Sequence, residues 1–181
     1  MTIQETQRTI RKDSVYCRTQ IMDLLQSLFA AECIAPSRTI WLASAWISDI
    51  EVIDNTGLRF SGVTSRWESR KIRLTEVLVE LALRGSEIIV VTNQDEHNEA
   101  FKQRLKNVGE LHGVGHKIQI KRLAEHHTKA LLGDNYYLDG SMNFTRNGVE
   151  LNGETIRLEL AQNLIAQTRI EFDNLYGSTR S

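Results

Sequence analysis

His127 and Lys129 stand two residues apart where the chain reads as a short strand, so alternation turns both side chains to one face. A neutral imidazole in that position can serve as a nucleophile or general base. An ammonium group beside it can neutralise the oxygens of a phosphoryl group. Ser141 and Asn143 follow Gly140 with the same two-residue interval and add a hydroxyl and an amide to the same pocket. Glu154 is a candidate to hold one ring nitrogen of a histidine and so fix its tautomer. A histidine with a lysine two residues on means little alone; the ordered set carries the signal. His126 falls on the opposite strand face and reads as structural or surface. His112 and His116 are four apart, but Gly113, Val114 and Gly115 between them are poor helix formers and no third ligand is near, so no metal site is expected.

The elements that must position these groups follow from periodicity. From Ser14, with Ser14 or Asp13 as cap, Val15, Ile21, Leu24, Leu25, Leu28 and Phe29 recur at helical spacing, and Pro36 sets the limit. TIWLASAWI, residues 39–47, reads as a strand covered on both faces. Residues 48–70 show no period and read as a long loop. Leu74, Val77, Leu78 and Leu81 form a helical stripe that Gly85 ends. EIIVVT, 87–92, is a buried strand; Asp95 caps a helix carrying Phe101, Leu105 and Val108, which Gly109 closes. Residues 117–123 alternate as a half-exposed strand. Residues 129–133 and 136–140 are two short strands about a tight turn at Asp134–Asn135. Residues 155–160 alternate again, and Leu164, Ile165, Thr168, Phe172 and Leu175 form a last helix face. The order predicts a layered α/β/α sandwich with a mixed central sheet.

The chain has 181 residues, 41% hydrophobic and 25% charged, which fits one domain over 1–181 with residues 1–13 as a polar, flexible tail. One proline and 11 glycines leave no room for an interdomain linker. No apolar run approaches the roughly 20 residues that cross a bilayer, and the polar start is no secretory signal. Cys17 and Cys33 fit neither a zinc knuckle nor a redox pair and read as reduced core residues of a cytoplasmic protein. Net charge is −1 and the pI about 6.5, so any polyanion must be gripped by a local patch. The candidate patch is the loop carrying Arg59, Arg66, Trp67, Arg70, Lys71 and Arg73, opposed mainly by Glu68. Arginines with an interleaved aromatic suit phosphate contact and base stacking, and a solvated charged loop with a packed tryptophan is the alternative. Lys117, Lys121 and Arg122 could extend the path.

His127-x-Lys129-x4-Asp134, then Gly140-Ser141-x-Asn143 and Glu154, resembles the HKD signature of the phospholipase D superfamily. The interval from Asp134 to Ser141 is one residue shorter than in its bacterial nucleases, which bears on the turn. Residues 41–49, WLASAWISD, resemble the superfamily's first core strand. Ile53-Asp54-Asn55 and Asp95-Glu96-His97-Asn98 resemble a narrower group, the phospholipase-D-like component of bacterial 7-deazapurine DNA modification and restriction clusters. The resemblance implies a phospholipase D-like fold and phosphodiester chemistry without metal or other cofactor. One histidine attacks phosphorus to give a phosphohistidine, and a second protonates the leaving oxygen and then activates water. Lysines and asparagines hold the non-bridging oxygens, and the aspartate, here Asp134, supports the site.

Two such motifs build one site, and this chain has one. The resemblance therefore implies a homodimer with a composite site at a two-fold interface. The expected activity is a nuclease cutting DNA in a bacterial restriction or defence system, with other proteins of that system as partners and no membrane. Two alternatives compete. One is a non-catalytic nucleic-acid-binding subunit of a larger restriction complex. The other is a phospholipase, which would want an interfacial apolar surface that the sequence does not show.

Overall fold

The computed structural model describes residues 6–11, 15–151 and 153–177. Nine strands and four α-helices run through these residues: β1 (Gln7–Arg11), α1 (Val15–Ile34), β2 (Thr39–Ala43), β3 (Glu51–Asp54), β4 (Lys71–Arg73), α2 (Leu74–Leu83), β5 (Glu87–Asn93), α3 (Glu99–Leu111), β6 (Ile118–Leu123), β7 (Ala130–Leu132), β8 (Tyr137–Gly140), β9 (Thr155–Glu159) and α4 (Gln162–Tyr176). Seven of the strands form one sheet in the order β1-β9-β8-β7-β2-β5-β6. β2, β5 and β6 are parallel, joined through α2 and α3 as crossovers demand. β7, β8, β9 and β1 continue the sheet antiparallel. The sheet is mixed, as the element order predicts.

Strand alternation divides the core. Ile40, Leu42, Ile88, Val90, Leu131, Leu138 and Ile156 face α1, α2 and α3. Trp41, Ala43, Ile89, Val91, Ala130 and Leu132 face α4, through Ile165, Phe172 and Tyr176. Phe172 lies edge-on to Trp41, Tyr137 and Tyr176, and the Arg169 guanidinium sits 5.2 Å over the Trp41 ring. No helix among the described residues is long and apolar enough to cross a membrane.

Several expectations need correction. Within the tail assigned to 1–13, residues 7–11 are a strand, because β9 would otherwise end the sheet unpaired and Ile10 finds a buried place beside it. The caps proposed at Asp13 and Ser14, and the Cys17 side chain, lie outside the described residues. Cys33 is buried, and burial pushes its thiol up to about 12. The 48–70 segment contains β3, which pairs with β4, and the remainder is tied down by fully buried Asn55. The Asn55 amide donates to the Trp67 and Glu68 carbonyls (3.2 and 2.8 Å), and its oxygen accepts from Phe60 N–H (2.7 Å). Gly85 does end α2, with φ +115°. Gly109 does not end α3: the helix runs on to Leu111, and a Cβ at 109 would stand 2.8 Å from Ile118 Cδ1, so glycine there allows close packing. On α4 the buried stripe is Ile165, Phe172 and Tyr176, while Leu164 and Leu175 are exposed.

Candidate active site

Four strand ends meet at one edge of the sheet. Register pairs Ala43 with Ala130, Ala130 with Asp139, and Gly140 with Ile156. Ser44 just past β2, Lys129 just before β7, Ser141 just past β8 and Glu154 just before β9 therefore stand side by side on neighbouring strands. This is also the carboxyl end of parallel β2, β5 and β6, where open α/β sheets place ligands.

His127 and Lys129 lie in an extended segment just ahead of β7 rather than within it, and the alternation still holds. His126 is buried, its ring edge-on to Tyr176 at 5.8 Å, and Thr128 Oγ1 lies 3.3 Å from Tyr176 Oη. His127 and Lys129 consequently take the opposite face. The His127 side chain is exposed and has no hydrogen bond among the described residues. Lys129 Nζ donates to the His127 carbonyl (2.9 Å) and borders a small recess with Met142, Phe144 and Gly140. Burial holds the His126 imidazole below its usual value, helped by the cationic fields of Lys129 and His127.

Gly140 makes the bend that delivers Ser141. Its φ is +150°, and a methyl group there would overlap the Thr155 carbonyl oxygen. Ser141 then pairs with the start of β9: its N–H donates to Thr155 O (2.9 Å) and its hydroxyl accepts from Thr155 N–H (3.0 Å). The Ser141 hydroxyl proton goes to the Glu154 carboxylate. Glu154 thus holds Ser141 within this chain.

Half-buried Asn143 is anchored from the β2 side. Its Oδ1 lies 3.3 Å from Ser44 Oγ and 3.4 Å from Trp46 N, which leaves the amide NH₂ as the group available to a ligand. Ser44 is fully buried; its hydroxyl donates to Trp46 O (2.6 Å) and accepts from Phe144 N–H (3.1 Å). Ile47 bridges to Phe144, so the two segments run together. Ser44 belongs to the 41–49 segment that resembles the superfamily's first core strand, where a Ser-x-Trp sequence is expected near the site.

Asp134 lies at the far end of the β7–β8 hairpin, roughly 20 Å along the strand from His127. Its carboxylate accepts from Arg38 N–H (3.1 Å) and pairs with Arg169, while its own N–H donates to Ser37 Oγ (2.7 Å). It joins the β2 start, the hairpin and α4, away from the cluster.

The loop basic residues are engaged elsewhere. Trp67 is 5% exposed and packs in the core, so it offers no face for stacking. Arg66 forks onto Glu80 (2.7 and 2.8 Å), Arg70 onto Glu76 (3.0 and 2.5 Å), and Lys71 pairs with Glu51 (3.3 Å). Buried Glu80 also takes Arg84 (2.7 Å), and the two guanidinium groups outweigh burial to hold its carboxyl below the usual range. Arg59 is exposed. The loop touches the surroundings of the strand-end cluster at its start, where Ser48 N–H donates to Phe144 O (2.9 Å). Among the described residues no group of three or more His, Cys, Asp or Glu is arranged to hold a metal.

The fold is a mixed α/β domain with a polar cluster at its strand ends. Residues 50–176 match the family described as cardiolipin synthase, PLD-like domain, and the chain belongs to that family within the phospholipase D superfamily. Among solved structures it is similar to NucT from Helicobacter pylori (13% identity, 93% of each chain, TM-score 0.59). It is similar also to Nuc, a phospholipase D family member from Salmonella typhimurium (13% identity, 93% of this chain and 91% of that one, TM-score 0.57). TrmBL2, an archaeal chromatin protein, matches 97% of this chain with 54% of its own (13% identity, TM-score 0.53). A search of curated proteins found no match.

Proposed function

We propose that this chain is a metal-independent phosphodiesterase that cuts nucleic acid, DNA first, with a composite site built by two copies. What supports this reading is a phospholipase D-like domain in which Lys129 and Ser141 stand at neighbouring strand ends, Asn143 is anchored to Ser44 just past β2, and His127 lies two residues ahead of Lys129 on the same face. His127 Nε2 attacks phosphorus and the bond to the leaving oxygen breaks, giving a phosphohistidine. The partner's His127 gives its proton to that oxygen, then removes one from water, whose oxygen displaces the imidazole. Lys129 and the Asn143 amide stabilise the non-bridging oxygens as charge builds on them. Glu154 and Ser141 hold the β8–β9 rim. A role in restriction or defence, with partner proteins of such a system, is part of the same proposal and rests on the sequence resemblance.

Purified protein incubated with plasmid and with single-stranded DNA in EDTA, its solution mass measured alongside, tests the reading. Cleavage by a dimer, lost in His127→Ala, supports it. A fully active solitary chain would overturn the composite site. The likeness to TrmBL2, a chromatin protein with its own mode of DNA binding, favours a second reading as a binding subunit. Binding without cleavage under every pH and partner condition would select it. Hydrolysis of short-chain lecithin without any action on DNA would instead indicate a lipid phosphodiesterase.

A further inference from the structure

The turn after β2 puts an aromatic ring into water and clamps everything around it. Trp46 is 43% exposed, while Ala45 and Ile47 on either side are buried. Fully buried Asn98 accepts from Ile47 N–H (2.8 Å) and donates to Ala45 O (3.0 Å). Ser44 Oγ holds Trp46 O, and Asn143 Oδ1 faces Trp46 N. The indole N–H donates to Asp95 Oδ2 (3.0 Å), and Asp95 Oδ1 is itself fixed by His97 N–H (2.9 Å). The Asp95–Asn98 segment singled out in the sequence therefore acts as the clamp of this turn.

A cationic surface adjoins the ring. Ser48, two residues on, borders two open clefts of about 700 and 530 Å³ that share Asp49 and Arg73. Arg104 lines the first, and Lys71 and Arg146 line the second. Asp49 and Glu51 are the acids among them; Asp49 pairs with Arg104 (2.7 Å) and Glu51 with Lys71. A half-exposed indole whose own backbone N–H faces Asn143 Oδ1 (3.4 Å), with arginines in the clefts beyond Ser48, suits a nucleotide whose phosphate sits at Asn143.

We propose that Trp46 is a base-stacking residue, receiving an unpaired nucleobase next to the phosphate held by Lys129 and Asn143, with neighbouring phosphates in the Arg73 clefts. The proposal rests on the nuclease reading. A duplex hides its base faces in its own stack, so the site favours single-stranded or locally opened nucleic acid. Asp95 is a positioning residue that fixes the plane of the ring.

Trp41 and Trp67 are 1% and 5% exposed, so Trp46 is the one tryptophan of the three open to solvent. The experiment uses His127→Ala protein, which binds without cutting, and a labelled thymidine oligonucleotide. Binding is expected to quench indole emission, and Trp46→Leu is expected to abolish the quench and weaken binding roughly tenfold. Trp46→Phe should retain affinity, and Asp95→Ala should fall between. An abasic oligonucleotide of equal length keeps the phosphates and should bind without quenching, unaffected by Trp46→Leu. Unchanged affinity in Trp46→Leu overturns the stacking role while leaving the nuclease reading intact. So does free-protein emission that acrylamide fails to quench, which would mean that a second copy covers the ring. Wild-type protein that neither binds nor cuts any nucleic acid would remove the nuclease reading itself.

Discussion

His127 is exposed and free of hydrogen bonds among the described residues, so on the proposed reading its loss removes chemistry and almost no packing. We expect His127→Ala to lower cleavage at least about a thousandfold with the melting temperature nearly unchanged. A variant that loses both together would place the residue in the scaffold. Neighbouring His126 behaves in the opposite way. Its folded value lies below the ordinary 6.5, so the unfolded chain binds more protons once the pH falls below that point. Stability should therefore decline as pH drops below about 6.5. Replacing His126 by Phe should flatten that decline in pH-dependent melting curves. The division between the two histidines was legible from sequence because period-two alternation is a covalent property of extended chain. The bond from Ser141 to Glu154 was not, since it depends on how far β9 slides along β8.

At the scale of elements, the β8–β9 rim depends on Gly140, where any side chain meets the Thr155 carbonyl. Gly140→Ala should cost about 3 kcal/mol and reduce activity in parallel, read by denaturant titration and by cleavage. The loop between β3 and β4 depends on charge. Glu80 is 3% exposed and carries two arginines, so Glu80→Ala should cost about 3 kcal/mol by stranding Arg66 and Arg84. Its lowered carboxyl value means that this stabilisation is present above about pH 4.5 and is lost as acid protonates the folded form. Composition and spacing marked Arg66 and Arg70 as part of a nucleic-acid patch because sequence shows charge but not partners. The carboxylates that neutralise them lie on α2, at Glu76 and Glu80. β3 was hidden for a related reason: four residues pairing with only three leave too short an alternation to read.

For the whole molecule, a site shared by two copies gives an unequal response to mixing. If each dimer holds one site needing both histidines, an equal mixture of wild type and His127→Ala, allowed to exchange, should retain about a quarter of the activity of an undiluted sample. Independent sites would retain about half. The same sharing requires one imidazole neutral and one protonated, so the rate should pass through a maximum with pH; a rate flat from acid to alkaline pH would count against it. The strand and helix order legible in the sequence ran from α1 to α4 apart from the short pair β3 and β4, because the other elements bury apolar faces against the sheet. The N-terminal strand was missed because four of its five residues are exposed and only Ile10 is buried. That strand is the outer rail beside the proposed site: Arg11 lies opposite Thr155, one residue from Glu154. Trimming the chain back past Arg11 would strip β9 of its neighbour and offer its bare amides to any passing extended peptide. An affinity tag is thus better carried at the other terminus, and a truncated enzyme that aggregates would be reporting an unguarded flank rather than damaged chemistry.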